Sequence, residues 1–196
     1  MICAVVLAAG RSARMGTQKL LLPLGGRPVI VRVVDELVCS PLEQIAVVVG
    51  REAKQIQQAL RGRTVSFVQN PAADGDMLSS VRCGLRALPE PCVATLVALG
   101  DQPGLTQELV GELIRAFRQT GRGIIVPAHA GRRGHPLLFA ARWRNEVLTR
   151  HDGVGLRGLL DAHAEEIFEV AVPAARVLED LDTPEDYQRH LKSTGG

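Results

Sequence analysis

The sequence predicts an α/β fold, a three-layer sandwich in which a mostly parallel sheet carries helices on both faces. Three observations point to it. Short apolar runs without internal polarity, such as ICAVVL at 2–7 and ATLVAL at 94–99, read as strands buried on both sides. Segments with helical periodicity alternate with those runs over the first 120 residues. The connections between them collect Gly, Pro, Asn and Asp.

The elements follow in order. Residues 2–7 form the first strand. Residues 27–39 form a helix, with Pro28 in its first turn and Ile30, Val33, Val34, Leu37 and Val38 on one face. Residues 44–49 form a strand closed by Gly50, 52–60 a short helix, 65–69 a strand, 77–88 a helix and 93–99 a strand. Thr106 caps a helix carrying Leu109, Val110, Leu113, Ile114 and Phe117. Strands are expected at 123–127 and 136–139, helices at 142–149 and 156–163, and a late strand at 167–172. Thr183-Pro184 opens a last helix, with Glu185 and Asp186 in the first turn where acidic groups suit the helix dipole. There is no internal repeat and no low-complexity stretch. The 196 residues are expected to form a single domain, 1–196.

Composition bounds the function. With 46% hydrophobic and 22% charged residues the chain resembles a globular protein, and a net charge of +2 without a Lys/Arg block argues against nucleic acid as a partner. The apolar start is too short to span a membrane and lacks a basic leader. Of the four cysteines, none form a C-x-x-C pair, and Cys3 and Cys39 lie in apolar patterns that read as buried thiols. Buried thiols suggest a reducing compartment, so the protein is expected to be cytoplasmic.

In parallel sheets ligands bind beyond the carboxyl ends of the strands. The loops to inspect are therefore those after Leu7, Gln69, Leu99 and Phe139. The first, LAAGRSARMGTQK, packs glycines with Arg11, Arg14 and Lys19. Glycine admits a ligand close to the backbone, and free N–H groups with three cations suit a triphosphate. The G-K-[ST] ending of a P-loop and the G-x-G-x-x-G spacing are both absent. Asp101 follows an apolar strand, where its carboxylate would face the ligand crevice. A hard cation such as Mg2+ takes one or two carboxylates together with phosphate oxygens. Asp182 stands beside a helix start, so it reads either as a second metal ligand or as a cap. Gln102 can position an acceptor or only bond its own turn. Ser79 and Ser80 offer hydroxyls near a helix start and read as caps, and Trp143 and Tyr187 read as packing residues. The turn HAGRRGHP presents Arg132, Arg133 and His135 together.

The opening LAAGRSARMGTQKLLLPLGGRPVI resembles the signature L-A-[AG]-G-x-S-x-R-M-G, followed by a lysine, of the nucleotide-diphospho-sugar transferase superfamily. LGDQP (99–103), GHP (134–136) and DLDTPEDY (180–187) resemble, in that order, its molybdenum-cofactor branch, the molybdopterin nucleotidyltransferases. The likeness runs from residue 2 to residue 187. It implies a Rossmann-like sheet and transfer of a nucleoside monophosphate, CMP from CTP, onto molybdopterin with release of pyrophosphate. Leu7, Ala8, Ala9, Gly10, Arg11, Ser12, Met15 and Gly16 would wrap the nucleotide, with Ser79 and Ser80 near base and ribose. Arg14 and Lys19 would stabilise the phosphates and the leaving pyrophosphate. Asp101 and Asp182, rather than Asp180, would hold Mg2+. His135 and Gln102 would lie at the acceptor, and a molybdoenzyme or a chaperone is the partner protein implied. Ala9, where guanylyl-transferring relatives tend to have glycine, favours a pyrimidine nucleotide. The rival expectations are a transferase of the same fold using GTP or a sugar phosphate, and a non-catalytic carrier of a nucleotide or cofactor.

Overall fold

The computed structural model describes residues 1–10, 18–72, 76–173 and 179–194. Its main sheet contains β1 (Ile2–Ala8), β4 (Gln44–Val49), β5 (Ser66–Gln69), β6 (Ala94–Leu99), β7 (Ile124–His129), β8 (Arg132–Arg133), β9 (Leu137–Ala140) and β10 (Ile167–Ala171). The strand order is β10-β7-β9-β6-β1-β4-β5, with β8 attached to β7. A two-stranded ribbon, β2 (Pro23–Leu24) with β3 (Arg27–Pro28), turns through Gly25 and Gly26, both at positive φ. The helices are α1 (Val29–Val38), α2 (Ala53–Ala59), α3 (Met77–Ala87), α4 (Gln107–Thr120), α5 (Arg144–Thr149), α6 (Leu156–Ala162) and α7 (Pro184–Thr194).

The three layers follow from the alternation of side chains along β1. Ile2, Ala4, Val6 and Ala8 join one core with residues of α1, α2 and α4. Cys3 and Val5 join the other with residues of α3, α5 and α6. Successive side chains of a strand point to opposite faces, so a run apolar at every position must be covered on both. The α3 layer lies close to the sheet. A Cβ on Gly84 would stand 2.3 Å from Val5 Cγ1 and 3.0 Å from Val48 Cγ2. Gly84→Ala is therefore expected to lower stability by about 1–3 kcal/mol. A fall in the urea midpoint at unchanged m-value would register it; an unchanged midpoint would mean the helix shifts freely on the sheet.

Strand β9 corrects one expectation. It runs antiparallel to both β6 and β7. The chain after Phe139 thus leaves at the far end of the sheet, where Ala141 N donates to Val93 O. What reaches the carboxyl edge is the segment before β9, containing His135. The cysteines correct another. Cys3 is buried but disulfide-bonded to Cys92, with Cα atoms 6.3 Å apart, and Cys39 is exposed. The buried-thiol argument for a reducing compartment does not stand. No helix among the described residues is long and apolar enough to cross a membrane.

Away from the carboxyl edge, Glu146 of α5 receives His151 Nε2 and His163 Nε2, each at 2.9 Å. Burial pushes the Glu146 carboxyl up, but the hydrogen bonds and charges of the two histidines outweigh it, leaving it below the ordinary glutamate value. A lowered carboxylate adds stability above the ordinary value of 4.5, and this is lost as pH falls through the lowered one. Chemical denaturation should therefore find Glu146→Gln less stable than wild type near neutral pH, and the gap should close in acid. A gap that widened in acid would contradict this linkage.

Candidate active site

The carboxyl ends of β1 and β6 lie side by side in the middle of the sheet. Their close approach continues one residue further, where Gly100 N donates to Leu7 O at 3.0 Å. A Cβ on Gly100 would meet that carbonyl and Ile30 Cδ1, each at 2.9 Å. Glycine lets the chain turn here and delivers Asp101 to the edge. From the β1 side, Lys19 opens a single 3-10 turn (Lys19–Leu21) anchored by the buried Leu20.

Lys19 Nζ makes an ion pair with Asp101 and another, at 3.0 Å, with Asp182 Oδ1. Burial alone would depress the lysine, yet the charge and hydrogen bond of Asp101, and those of Asp182, raise it above its ordinary value. The ammonium therefore stays protonated through neutral pH. Asp182 does not cap α7. Thr183 Oγ1 accepts from Asp186 N, and Asp186 Oδ2 accepts from Thr183 N and Asp182 N, which resembles a capping box. That arrangement leaves the Asp182 carboxylate to face Lys19, 45% exposed.

Asp180, read from the sequence as a bystander, stands beside this group. Gln102 Nε2 donates to Asp180 Oδ1 at 2.6 Å. Burial pushes the Asp180 carboxyl up and the charge of Asp101 adds to this, against the Gln102 hydrogen bond, so that it reaches about 6. Gln102 itself is 3% exposed. Its amide is turned to Asp180.

His135 is half-buried, close enough to Asp101 to feel its charge. Burial pushes the imidazole below its ordinary value while Asp101 pulls it upward. The ring is thus neutral at neutral pH and can accept one hydrogen bond and donate another. Arg132 and Arg133 are exposed, and Arg133 pairs with Glu169 of β10.

At the end of β5, Asn70 is buried and donates through Nδ2 to Ser79 Oγ at 3.0 Å and Ser80 Oγ at 2.9 Å. The helix cap is Asp76, whose carboxylate accepts from Ser79 N. Capping therefore does not account for the two serines, and Asn70, which the sequence analysis did not single out, fixes both hydroxyls. The backbone of Leu7, Ala8, Ala9 and Gly10 ends on the same edge of the sheet. The Ala9 methyl packs into the α3-side core, so it does not stand in open space where a base would meet it. Arg11, Ser12, Arg14, Met15 and Gly16 lie outside the described residues.

Two carboxylates converging on one cation, Asp101 and Asp182 around Lys19, form an oxygen donor pair of the kind a hard divalent ion takes along with phosphate oxygens. Among the described residues no group of three or more His, Cys, Asp or Glu is arranged to hold a metal.

A family model described as MobA-like NTP transferase domain matches residues 4–167. Molybdenum cofactor cytidylyltransferase from Escherichia coli is 26% identical over 190 residues, covering 93% of this chain and 92% of that protein. A nucleotidyl transferase from Methanothermobacter thermautotroptrophicus superposes with a TM-score of 0.86 at 29% identity, over 99% of this chain and 97% of that one. Rv0371C of Mycobacterium tuberculosis, solved in complex with manganese, superposes with a TM-score of 0.78 at 28% identity, over 98% of both chains.

Proposed function

Because the chain belongs to the MobA-like NTP transferase family, we propose that it is an enzyme of one domain that transfers CMP from CTP to the phosphate of a molybdopterin-type acceptor. The observation that carries the reading is the meeting of Lys19, Asp101 and Asp182 at the carboxyl edge of β1 and β6, the Lys19–Asp182 contact spanning 163 residues of sequence. Support for the choice of base and acceptor comes from the E. coli relative that spans the chain.

In this reading an oxygen of the acceptor phosphate attacks the α-phosphorus in line as the bond to pyrophosphate breaks. The acceptor is itself the nucleophile, so positioning and charge supply the rate. Lys19 holds the phosphate oxygens, and Arg14 with residues 10–16 receives the leaving pyrophosphate. Asp101 and Asp182 would hold Mg2+, which when bound withdraws charge from the reacting phosphate oxygens. The manganese complex of the mycobacterial neighbour supports a divalent ion in this fold. His135 faces the acceptor, with a neutral ring that can hydrogen-bond its phosphate. Ser79 and Ser80, held by Asn70, face base and ribose, together with the backbone of Leu7–Ala9. The protein is assigned to the cytoplasm, where nucleoside triphosphates are made, and a molybdoenzyme or its chaperone would take up the product.

A site that pairs fixed polar groups with one base penalises a base that leaves them unpaired. CTP should therefore be turned over much faster than GTP. Steady-state rates at matched Mg2+ and acceptor decide this, and preference for GTP would move the chain to a guanylyl transferase of the same fold.

A further inference from the structure

We infer that Gln102 and Asp180 act as a positioning pair, a clip that fixes the separation of the two metal-binding carboxylates. The inference rests on the assignment of Asp101 and Asp182 to the metal. Asp101 and Asp182 lie 81 residues apart in sequence and arrive on different elements, the end of β6 and the start of α7. An ion shared by two carboxylates from independent segments needs both held at one spacing, because ligand geometry is set largely by the groups behind the ligands.

The structure supplies such a hold within two residues of each ligand. Gln102 Nε2 donates to Asp180 Oδ1 at 2.6 Å, and Leu181 N donates to Asp101 O at 3.1 Å. The two bonds cross the same gap side by side. Leu181 is fully buried with Leu24 and Val29, against Tyr187 and Leu191. The Tyr187 hydroxyl in turn donates to Pro23 O. Residues 180–182 are thus fixed one after another: Asp180 by a side-chain bond, Leu181 by backbone and core, and Asp182 by the Asp186 carboxylate at its own N–H, leaving its side chain toward Lys19. Gln102 is 3% exposed. A buried amide is retained at such a place only when its hydrogen bonds are met, and its partner here, Asp180, stands two residues before a proposed metal ligand.

The test uses Mn2+ alone on the full-length protein, its binding followed by loss of the free-ion electron paramagnetic resonance signal, with thermal unfolding measured alongside. Gln102→Ala, which changes no charge, and Asp180→Ala should each weaken Mn2+ binding by roughly tenfold or more. The double variant should be little worse than either single one, since both remove the same bond. Asp180→Asn keeps an oxygen acceptor and the side-chain shape, and should retain more affinity than Asp180→Ala. In turnover the clip variants should lose kcat and leave the KM for acceptor unchanged. Wild-type Mn2+ affinity in folded Gln102→Ala, with a raised acceptor KM, would overturn the inference and return Gln102 to the acceptor. Equal losses in Asp180→Asn and Asp180→Ala would also overturn it, by assigning the effect to charge. If Asp101→Asn and Asp182→Asn bind Mn2+ as wild type does, the metal assignment itself fails, and the clip with it.

Discussion

Asp101→Asn is expected to reduce turnover by on the order of a thousandfold, a loss comparable to removing a preorganised electrostatic stabiliser from a transition state. The amide keeps the shape of the carboxylate but takes a unit of charge from the place where Lys19 and Asp182 meet. Folding should survive, because the strand that delivers residue 101 is buried on its own account and Gly100, not Asp101, makes the close backbone approach to Leu7. Rates measured with saturating Mg2+, beside a thermal melt, separate the two effects. Asp182→Asn should behave in the same way, and Asp180→Asn should fall far short of it. Near wild-type turnover in folded Asp101→Asn would remove the carboxylate pair from the chemistry.

Lys19→Ala is expected to be nearly as damaging to catalysis, by on the order of a hundredfold, with a raised KM for the triphosphate as charge-assisted contacts to phosphate are lost. The same variant should bind Mn2+ more tightly than wild type in the absence of nucleotide. In the free protein the lysine ammonium is held between the two carboxylates and competes with any metal for them. Opposite signs for metal affinity and turnover would identify Lys19 as a phosphate group's partner that rests on the metal site. Losses of both would instead make it a support of the carboxylates.

Most of the sheet was legible because its central strands are apolar at every position and its helices carry one apolar face. Both patterns arise directly from burial, as the partition of β1 between two cores illustrates. The direction of β9 was not read, although a signal existed: β7 ends at His129 and β9 begins at Leu137. A link that short suits a hairpin and is tight for a parallel crossover. The Cys3–Cys92 bond spans 89 residues and depends on β1 and β6 being neighbours, which cysteine spacing alone does not disclose. The packing roles of Trp143 and Tyr187 were legible, since both lie against hydrophobic clusters. At the site, Lys19 and Asp101 stood out because a cation after a glycine loop and a carboxylate after an apolar strand are local features. Asn70 and Asp180 did not, because each gains its place only by meeting a residue brought near by folding, Ser79 and Ser80 in one case and Gln102 in the other. Asp76 and Thr183, which take the capping duties, were likewise what released the serines and Asp182 from the simpler reading.

The central claim is nucleotidyl transfer from CTP to a molybdopterin-type acceptor, and pyrophosphate release measures it most directly. The purified protein would be assayed with each of the four common nucleoside triphosphates, with and without molybdopterin, in Mg2+. Release should be fastest with CTP, should require both acceptor and metal, and should be lost in Asp101→Asn. Release that favours GTP would contradict the cytidylyl assignment while leaving the lysine and carboxylate chemistry in place. No acceptor-dependent release with any of the four would contradict the account as a whole and identify the chain as a nucleotide or cofactor carrier on a transferase fold.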